Sequence, residues 1–136
     1  MDSLRTVPAD FFADFVSKVK IDAAMLLKRN GRMLAAWSKT PVSWDVLSIM
    51  AATALGSVDT MLETLGSPNA QGLSVLAAGY RILFQKVESQ GLLVLVAREV
   101  VPDSYLRETA KQLLRKLRAA QNGEPPRIVT LGPNVR

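Results

Sequence analysis

The chain has 136 residues, of which 49% are hydrophobic and 21% charged, and a formal net charge of +5. These values are typical of one globular domain and exclude an intrinsically disordered chain. Because cysteine and histidine are both absent, disulfides, thiolate nucleophiles and Ser-His-Asp or Cys-His catalytic sites are excluded, and we expect no metal ion.

A first helix is predicted to begin near Pro8. Proline is tolerated in the first turn of a helix, and Asp10 suits the positive end of the helix dipole. Apolar residues then recur at helical spacing. This stripe consists of Phe11, Phe12, Phe15, Val16 and Val19.

A β-hairpin is predicted next. Two short apolar segments, residues 23–27 and 33–37, flank the dipeptide Asn30-Gly31. This dipeptide indicates a two-residue turn, because both residues accept a positive φ. Alanines keep both strands thin, so we expect a bulky element to pack over them.

A long second helix is predicted over about residues 44–65. Ser43 can cap its N-terminus, Asp45 suits the dipole there, and Gly66 is a natural residue to end it. At 100° per residue this helix has two non-polar faces. The bulkier face, which we expect to cover the sheet, contains Trp44, Leu47, Ala51, Leu55, Val58, Leu62 and Leu65.

The opposite face of this second helix lacks the charged residues that a lone surface helix carries. Its small and hydroxyl residues would let another backbone approach closely. We predict that it pairs with the same helix of a second copy in an antiparallel, two-fold interface. The alternatives are packing inside the monomer and a mildly polar exposed face. The predicted dimer interface, called the outer face below, consists of Val46, Ile49, Met50, Thr53, Gly56, Ser57, Thr60 and Met61.

Three strands in a meander are predicted at residues 72–77, 80–87 and 92–98. The last of these is apolar on both sides, so we place it in the centre of a sheet with helices on both faces. A third helix follows, capped by Asp103 or Ser104 and ended by Gly123. We expect one domain over residues 1–123 and an extended or disordered tail over residues 124–136.

This order of elements resembles the roadblock family, which includes the dynein light chains of roadblock type and bacterial and archaeal regulators of Ras-like GTPases. The resemblance covers about residues 9–120. Its most distinctive part is the hairpin feeding an alanine-rich helix. The matching segments are residues 22–37 (DAAMLLKRNGRMLAAW), 47–56 (LSIMAATALG), 80–84 (YRILF) and 91–97 (GLLVLVA).

The resemblance implies a roadblock-type (profilin-like) α/β fold, with a five-stranded antiparallel sheet, one long helix on one face and two helices on the other. It implies a homodimer or heterodimer in which the long helices pair and the sheets can join edge to edge. It further implies a scaffold or a regulator of a small Ras-like GTPase, without a cofactor. The basic third helix and the tail depart from the family pattern.

The third helix carries a second candidate surface. Its basic face consists of Arg107, Lys111, Arg115 and Arg118, with Lys116 nearby. Such a row suits phosphates or an acidic partner, and it is equally typical of the solvated side of an amphipathic helix. A basic nucleic-acid-binding dimer is therefore kept as the alternative function. Because no aromatic residues interleave with the row, stacking of single strands is not expected.

No catalytic constellation is evident in the sequence. The patterns G-x-x-x-x-G-K-[ST] and G-x-G-x-x-G are both absent, so the chain is not itself a P-loop GTPase. Asp59 and Glu63, four residues apart, are interpreted as a solvated strip and not as an acid–base pair. The first ten residues do not resemble a secretory signal, and no continuous apolar run approaches about 20 residues. We expect a cytoplasmic, non-enzymatic protein without membrane contact.

Overall fold

The computed structural model describes residues 11–12, 20–28, 30–66, 71–87 and 91–121. Its elements follow the predicted order: β1 (Ala23–Lys28), β2 (Met33–Ser38), α1 (Trp44–Glu63), β3 (Gly72–Ala77), β4 (Tyr80–Val87), β5 (Gly91–Arg98) and α2 (Asp103–Gln121). The second and third predicted helices are α1 and α2. Most of the predicted first helix, including Phe15, Val16 and Val19, lies outside the described residues, as does the predicted tail.

The strands form one antiparallel five-stranded sheet in the order β2-β1-β5-β4-β3. The central position of β5 confirms the prediction from its two-sided apolar pattern. A strand that is apolar on both faces is favoured in the interior of a sheet, where elements packed on both sides shield its faces from water. The β5 residues that are 2% exposed or less are Leu92, Leu93, Val94, Leu95 and Ala97.

One described helix covers each face of this sheet. On one side α2 packs with its predicted apolar stripe, in which Leu106 and Leu113 are at most 1% exposed. Phe11 and Phe12 join the same cluster, in an edge-to-face arrangement with ring centroids 5.0 Å apart. On the other side α1 contributes Ala51 and Leu55 to a separate cluster.

The β1–β2 hairpin closes differently from the predicted two-residue turn. The Lys28 N–H donates to the Arg32 carbonyl (2.8 Å), and the Gly31 N–H donates to the Lys28 carbonyl (2.9 Å). Gly31 has a positive φ of 92°, whereas Asn30 does not. The Asn30 side-chain oxygen instead accepts the Arg32 N–H at 2.9 Å. This local bond favours a wider loop, and the predicted turn type was therefore wrong.

The predicted helix caps also need correction. Ser43 occupies the N-cap position of α1, but its side chain makes no capping hydrogen bond. In α2 the first backbone acceptor is the Pro102 carbonyl, which receives the Tyr105 N–H at 3.1 Å. Asp103 and Ser104 therefore lie inside the first turn of α2 and are not its caps.

The Asp103 side chain joins α2 to the edge strand β3. It accepts hydrogen bonds from the Ser74 hydroxyl (2.6 Å) and from Nε of Arg107 (2.5 Å). These two bonds hold the pKa of Asp103 below its ordinary value. The carboxylate also lies at the positive end of the helix dipole.

The central strand provides a direct test of this architecture. Leu95 is completely buried in β5, so Leu95→Ala should lower the free energy of unfolding by about 2–5 kcal/mol. The matched control, Leu76→Ala, removes the same atoms from an edge-strand residue that is 53% exposed, and it should cost less than about 1 kcal/mol. Urea unfolding measures both. Similar losses for the two variants would contradict the central position of β5.

The Asp103 contacts predict a defined pH dependence. Asp103→Asn should lower the free energy of unfolding by about 0.5–1 kcal/mol at pH 7. Because the folded-state pKa is depressed, this stabilisation is complete above the unfolded-state pKa of about 4 and is lost as the pH falls through the folded value. Urea unfolding from pH 7 to pH 3 should show the difference between wild type and Asp103→Asn shrinking, and a difference that stays constant over this range would contradict the role of the Asp103 contacts.

Candidate functional site

The inner side of α1, which faces the sheet and the hairpin, buries only three residues. Ser48, Ala51 and Leu55 are its buried residues, at 4–6% exposure. Ser48 is tolerated there because its hydroxyl donates to the Asp45 carbonyl at 3.2 Å. The hairpin packs against the same place. A Cβ built on Gly31 would lie 3.7 Å from the Ser48 carbonyl oxygen.

The structure confirms most of the predicted inner face but not its ends. Trp44, Val58 and Leu62 are partly buried against the sheet. Leu47 is 36% exposed and Leu65 is 77% exposed, so neither covers the sheet as predicted. At the N-terminal end of α1 the buried residue is Ser48, next to Leu47, and Leu65 lies beyond Glu63, the last residue of the helix.

The outer face of α1 is open to solvent along its whole length. All eight residues of the predicted interface are exposed: Val46, Ile49, Met50, Thr53, Gly56, Ser57, Thr60 and Met61. The four large apolar residues among them are 55–68% exposed. The alternative of packing inside the monomer is therefore wrong for the described chain.

Two features of the outer face suit close contact with another backbone. The Thr60 hydroxyl donates to the Gly56 carbonyl at 3.0 Å, so its hydrogen-bonding capacity is met inside the helix. A Cβ on Gly56 would meet nothing within 4 Å. The described monomer therefore does not need glycine at this position, although glycine costs about 1 kcal/mol relative to alanine inside a helix.

The apolar surface extends beyond the predicted residues. Val42 (37% exposed) and Leu65 (77%) lengthen it at the two ends of α1, and Leu47 (36%) widens it. Beside the helix, Ile82 and Val96 on the sheet are only partly buried. A helical wheel could not identify these additions, because some lie outside the helix and others were assigned to its inner side.

Charge lies beside the outer face and not on it. Asp59 forms an ion pair with Lys86 of β4 at 3.1 Å, and both side chains are only 16% exposed. The prediction of a solvated strip was thus wrong for Asp59, since this carboxylate fastens α1 to the sheet. Asp45 and Glu63 are exposed.

The basic row lies on the other side of the sheet from α1. Arg107, Lys111, Arg115 and Arg118 are all exposed on α2. Lys116 is not part of this surface, because its Nζ donates to the Phe11 carbonyl (2.6 Å) and lies 5.0 Å from the centre of the Phe11 ring. The two candidate surfaces are therefore separate.

By length and composition alone, α1 could span a membrane. No other helix within the described residues meets these two criteria. The same helix contributes to the hydrophobic core and is tied to β4 through Asp59. Among the described residues, no group of acidic side chains could hold a metal ion.

Comparison with known proteins finds similarity in structure but not in sequence. No family model matches the sequence, and no curated protein matches it. A Roadblock/LC7 domain from Streptomyces avermitilis has a TM-score of 0.74 at 14% identity, covering 85% of this chain and 98% of that one. The gliding protein MglB from Thermus thermophilus has a TM-score of 0.71 at 19% identity, covering 84% and 87%.

A third structure, described as MglB with a tetrameric arrangement, has a TM-score of 0.72 at 19% identity and covers 84% of this chain and 87% of its own. At these identities the similarity is one of fold. The strand order, the antiparallel registers and the helix on each face agree with it. The described part of this chain has the roadblock fold.

Proposed function

We propose that this chain is a non-catalytic regulatory or scaffold subunit that dimerises through the outer face of α1 and acts with a small Ras-like GTPase in the cytoplasm. One observation carries the proposal. A helix of 20 residues on a roadblock fold exposes an uncharged, largely apolar face. Contiguous exposed apolar surface of this kind marks protein–protein contact.

An antiparallel, two-fold pairing of α1 helices fits the distribution of residues on the outer face. Thr53, Gly56 and Ser57 lie near the middle of the helix and allow the two backbones to approach. Met50 and Met61 flank them and supply adaptable apolar area. In a two-fold contact each protomer uses the same patch, so a self-complementary surface is required.

The edge strand β3 supports the same assembly. No strand pairs with its outer edge in the described sheet, and its sequence GLSVLA carries no charge. Uncharged edge strands invite pairing with another chain. The roadblock resemblance implies that sheets can join edge to edge, which would extend the interface beyond α1.

The proposed link to a GTPase rests on the roadblock fold and on the family resemblance of the sequence. The chain carries no P-loop, so the partner would supply the nucleotide. A regulatory role also suits a chain without histidine or cysteine, in which no nucleophile–base pair of the usual kind can form.

The dimer is tested by placing a charge in the middle of the outer face. Wild-type protein should have a mass near twice 14.8 kDa by light scattering across a dilution series. Thr53→Glu should raise the dissociation constant at least about a hundredfold, because an unpaired carboxylate would be buried against its symmetry mate.

Ser104→Glu is the matched control, since it adds the same charge to an exposed position of α2 on the opposite side of the sheet. It should leave the mass unchanged. A monomeric wild type, or a Thr53→Glu variant that dimerises as well as the wild type, would show that the outer face has another role.

The GTPase link is tested by a nucleotide-dependent pull-down. Immobilised protein is incubated with cell extract containing either GDP or a non-hydrolysable GTP analogue, and bound proteins are identified by mass spectrometry. A Ras-like GTPase should be retained several-fold better in one nucleotide state. Equal recovery in both states, or none, would contradict the proposal, whatever the oligomeric state of the chain.

A further inference from the structure

The exposed side of α2 presents a straight row of cations that the proposed function does not use. We infer that this cationic face, formed by Lys111, Arg115 and Arg118 with Arg107 at its N-terminal end, binds the phosphate backbone of a nucleic-acid double helix without reading its bases. This inference is independent of the proposed dimer and of the proposed GTPase.

The three C-terminal cations of the row have no partner within the described chain. Arg107 is bonded to Asp103, and Lys116 is turned toward Phe11. In contrast, no ion pair joins the side chain of Lys111, Arg115 or Arg118 to a carboxylate of the described residues. After Glu108, α2 contains no further acidic residue. Its C-terminal half therefore projects uncompensated positive charge.

The spacing of these cations suits a regular array of phosphates. Residues four apart on a helix are separated by about 6 Å along its axis, and residues three apart by about 4.5 Å. Lys111, Arg115 and Arg118 therefore span about 10 Å. A strand of duplex DNA carries one phosphate per about 3.4 Å of helix axis, so each cation can reach a separate phosphate. Arginine also binds phosphate oxygens through two parallel N–H donors.

The helix that carries the row is packed firmly against the sheet. The opposite side of α2 is fixed to the sheet through Leu106, Ala110, Leu113 and Leu117, each at most 2% exposed. The helix backbone is therefore already ordered, so binding carries no cost for folding the helix beyond the loss of overall freedom and of side-chain entropy that any association carries.

The chemistry of the exposed side favours a double helix over a lipid surface or a single strand. Over residues 103–119 of α2, for which burial is described, the exposed positions are polar or charged: Ser104, Arg107, Glu108, Lys111, Arg115 and Arg118. A helix that lies on a lipid surface buries an apolar face there, and the apolar face of α2 is already buried. Binding of single strands relies on aromatic side chains, which this exposed side lacks.

The position of the row leaves it accessible in any assembly built through α1. The two helices cover opposite faces of the sheet. A two-fold pairing of outer faces would therefore leave both copies of the cationic face open, and a dimer would offer two of them to a partner.

The experiment is fluorescence anisotropy with a labelled 24-base-pair DNA duplex at 25 to 200 mM NaCl. Wild-type protein should bind at low salt, and the logarithm of the binding constant should fall linearly with the logarithm of the salt concentration, by about 0.9 per phosphate contacted. Arg115→Gln combined with Arg118→Gln should weaken binding at least about tenfold at 50 mM salt and reduce the slope by about 1.8.

The matched control combines Arg32→Gln with Lys39→Gln. These are exposed cations away from α2, and the change lowers the formal net charge from +5 by the same two units. The control should bind within about twofold of wild type. Thermal melting followed by circular dichroism confirms that both double variants are folded.

Three results would overturn the inference: no binding to the duplex at 25 mM salt, equal weakening by the two double variants, or tighter binding to a single strand of the same length. A fourth comparison uses vesicles with anionic phosphatidylserine. Binding to these vesicles without binding to the duplex would assign the cationic face to a lipid surface and would also overturn the inference.

Discussion

The burial of β5 on both faces is the constraint on which the rest of the structure depends. Leu93 and Leu95 point toward α2, and Leu92 and Val94 point toward α1. A strand with this pattern is stable only when other elements cover both of its sides and neighbouring strands pair with both of its edges. The sheet order and the placement of one described helix on each face follow from that requirement.

The helices meet this requirement in different ways. In α2 the apolar stripe is narrow and is buried at Leu106, Ala110, Leu113 and Leu117, so the opposite surface is free to be charged. In α1 apolar residues run around most of the helix, and burying Ala51 and Leu55 leaves Ile49 and Met61 in water. An isolated monomer gains nothing from such exposed area, because every exposed apolar group forgoes the free energy of burial. The exposed apolar area of α1 is explained if another chain packs against it.

The separation of the two surfaces matters for function. The apolar outer face and the cationic face lie on opposite sides of one sheet. Polar contacts join each helix to the strands: Asp59 with Lys86 for α1, and Asp103 with Ser74 for α2. In the proposed assembly, the outer face would pair with a second copy while the cationic face on the other side of the sheet stays open.

The sequence by itself determined the order of the elements, the central position of β5 and the uncharged character of the outer face of α1, because hydrophobic periodicity reports which sides of an element carry apolar residues. Only the tertiary structure decided three points. The wider hairpin depends on the bond from Arg32 to the Asn30 side chain. The burial of Ser48 on the inner side of α1, beside Gly31 of the hairpin, is a contact between separate elements. The use of Asp59 depends on Lys86, 27 residues away. The last two points involve residues distant in sequence, whose contacts leave no local periodicity. The first is a choice between turn geometries that the Asn-Gly dipeptide leaves open, so only the folded chain shows it.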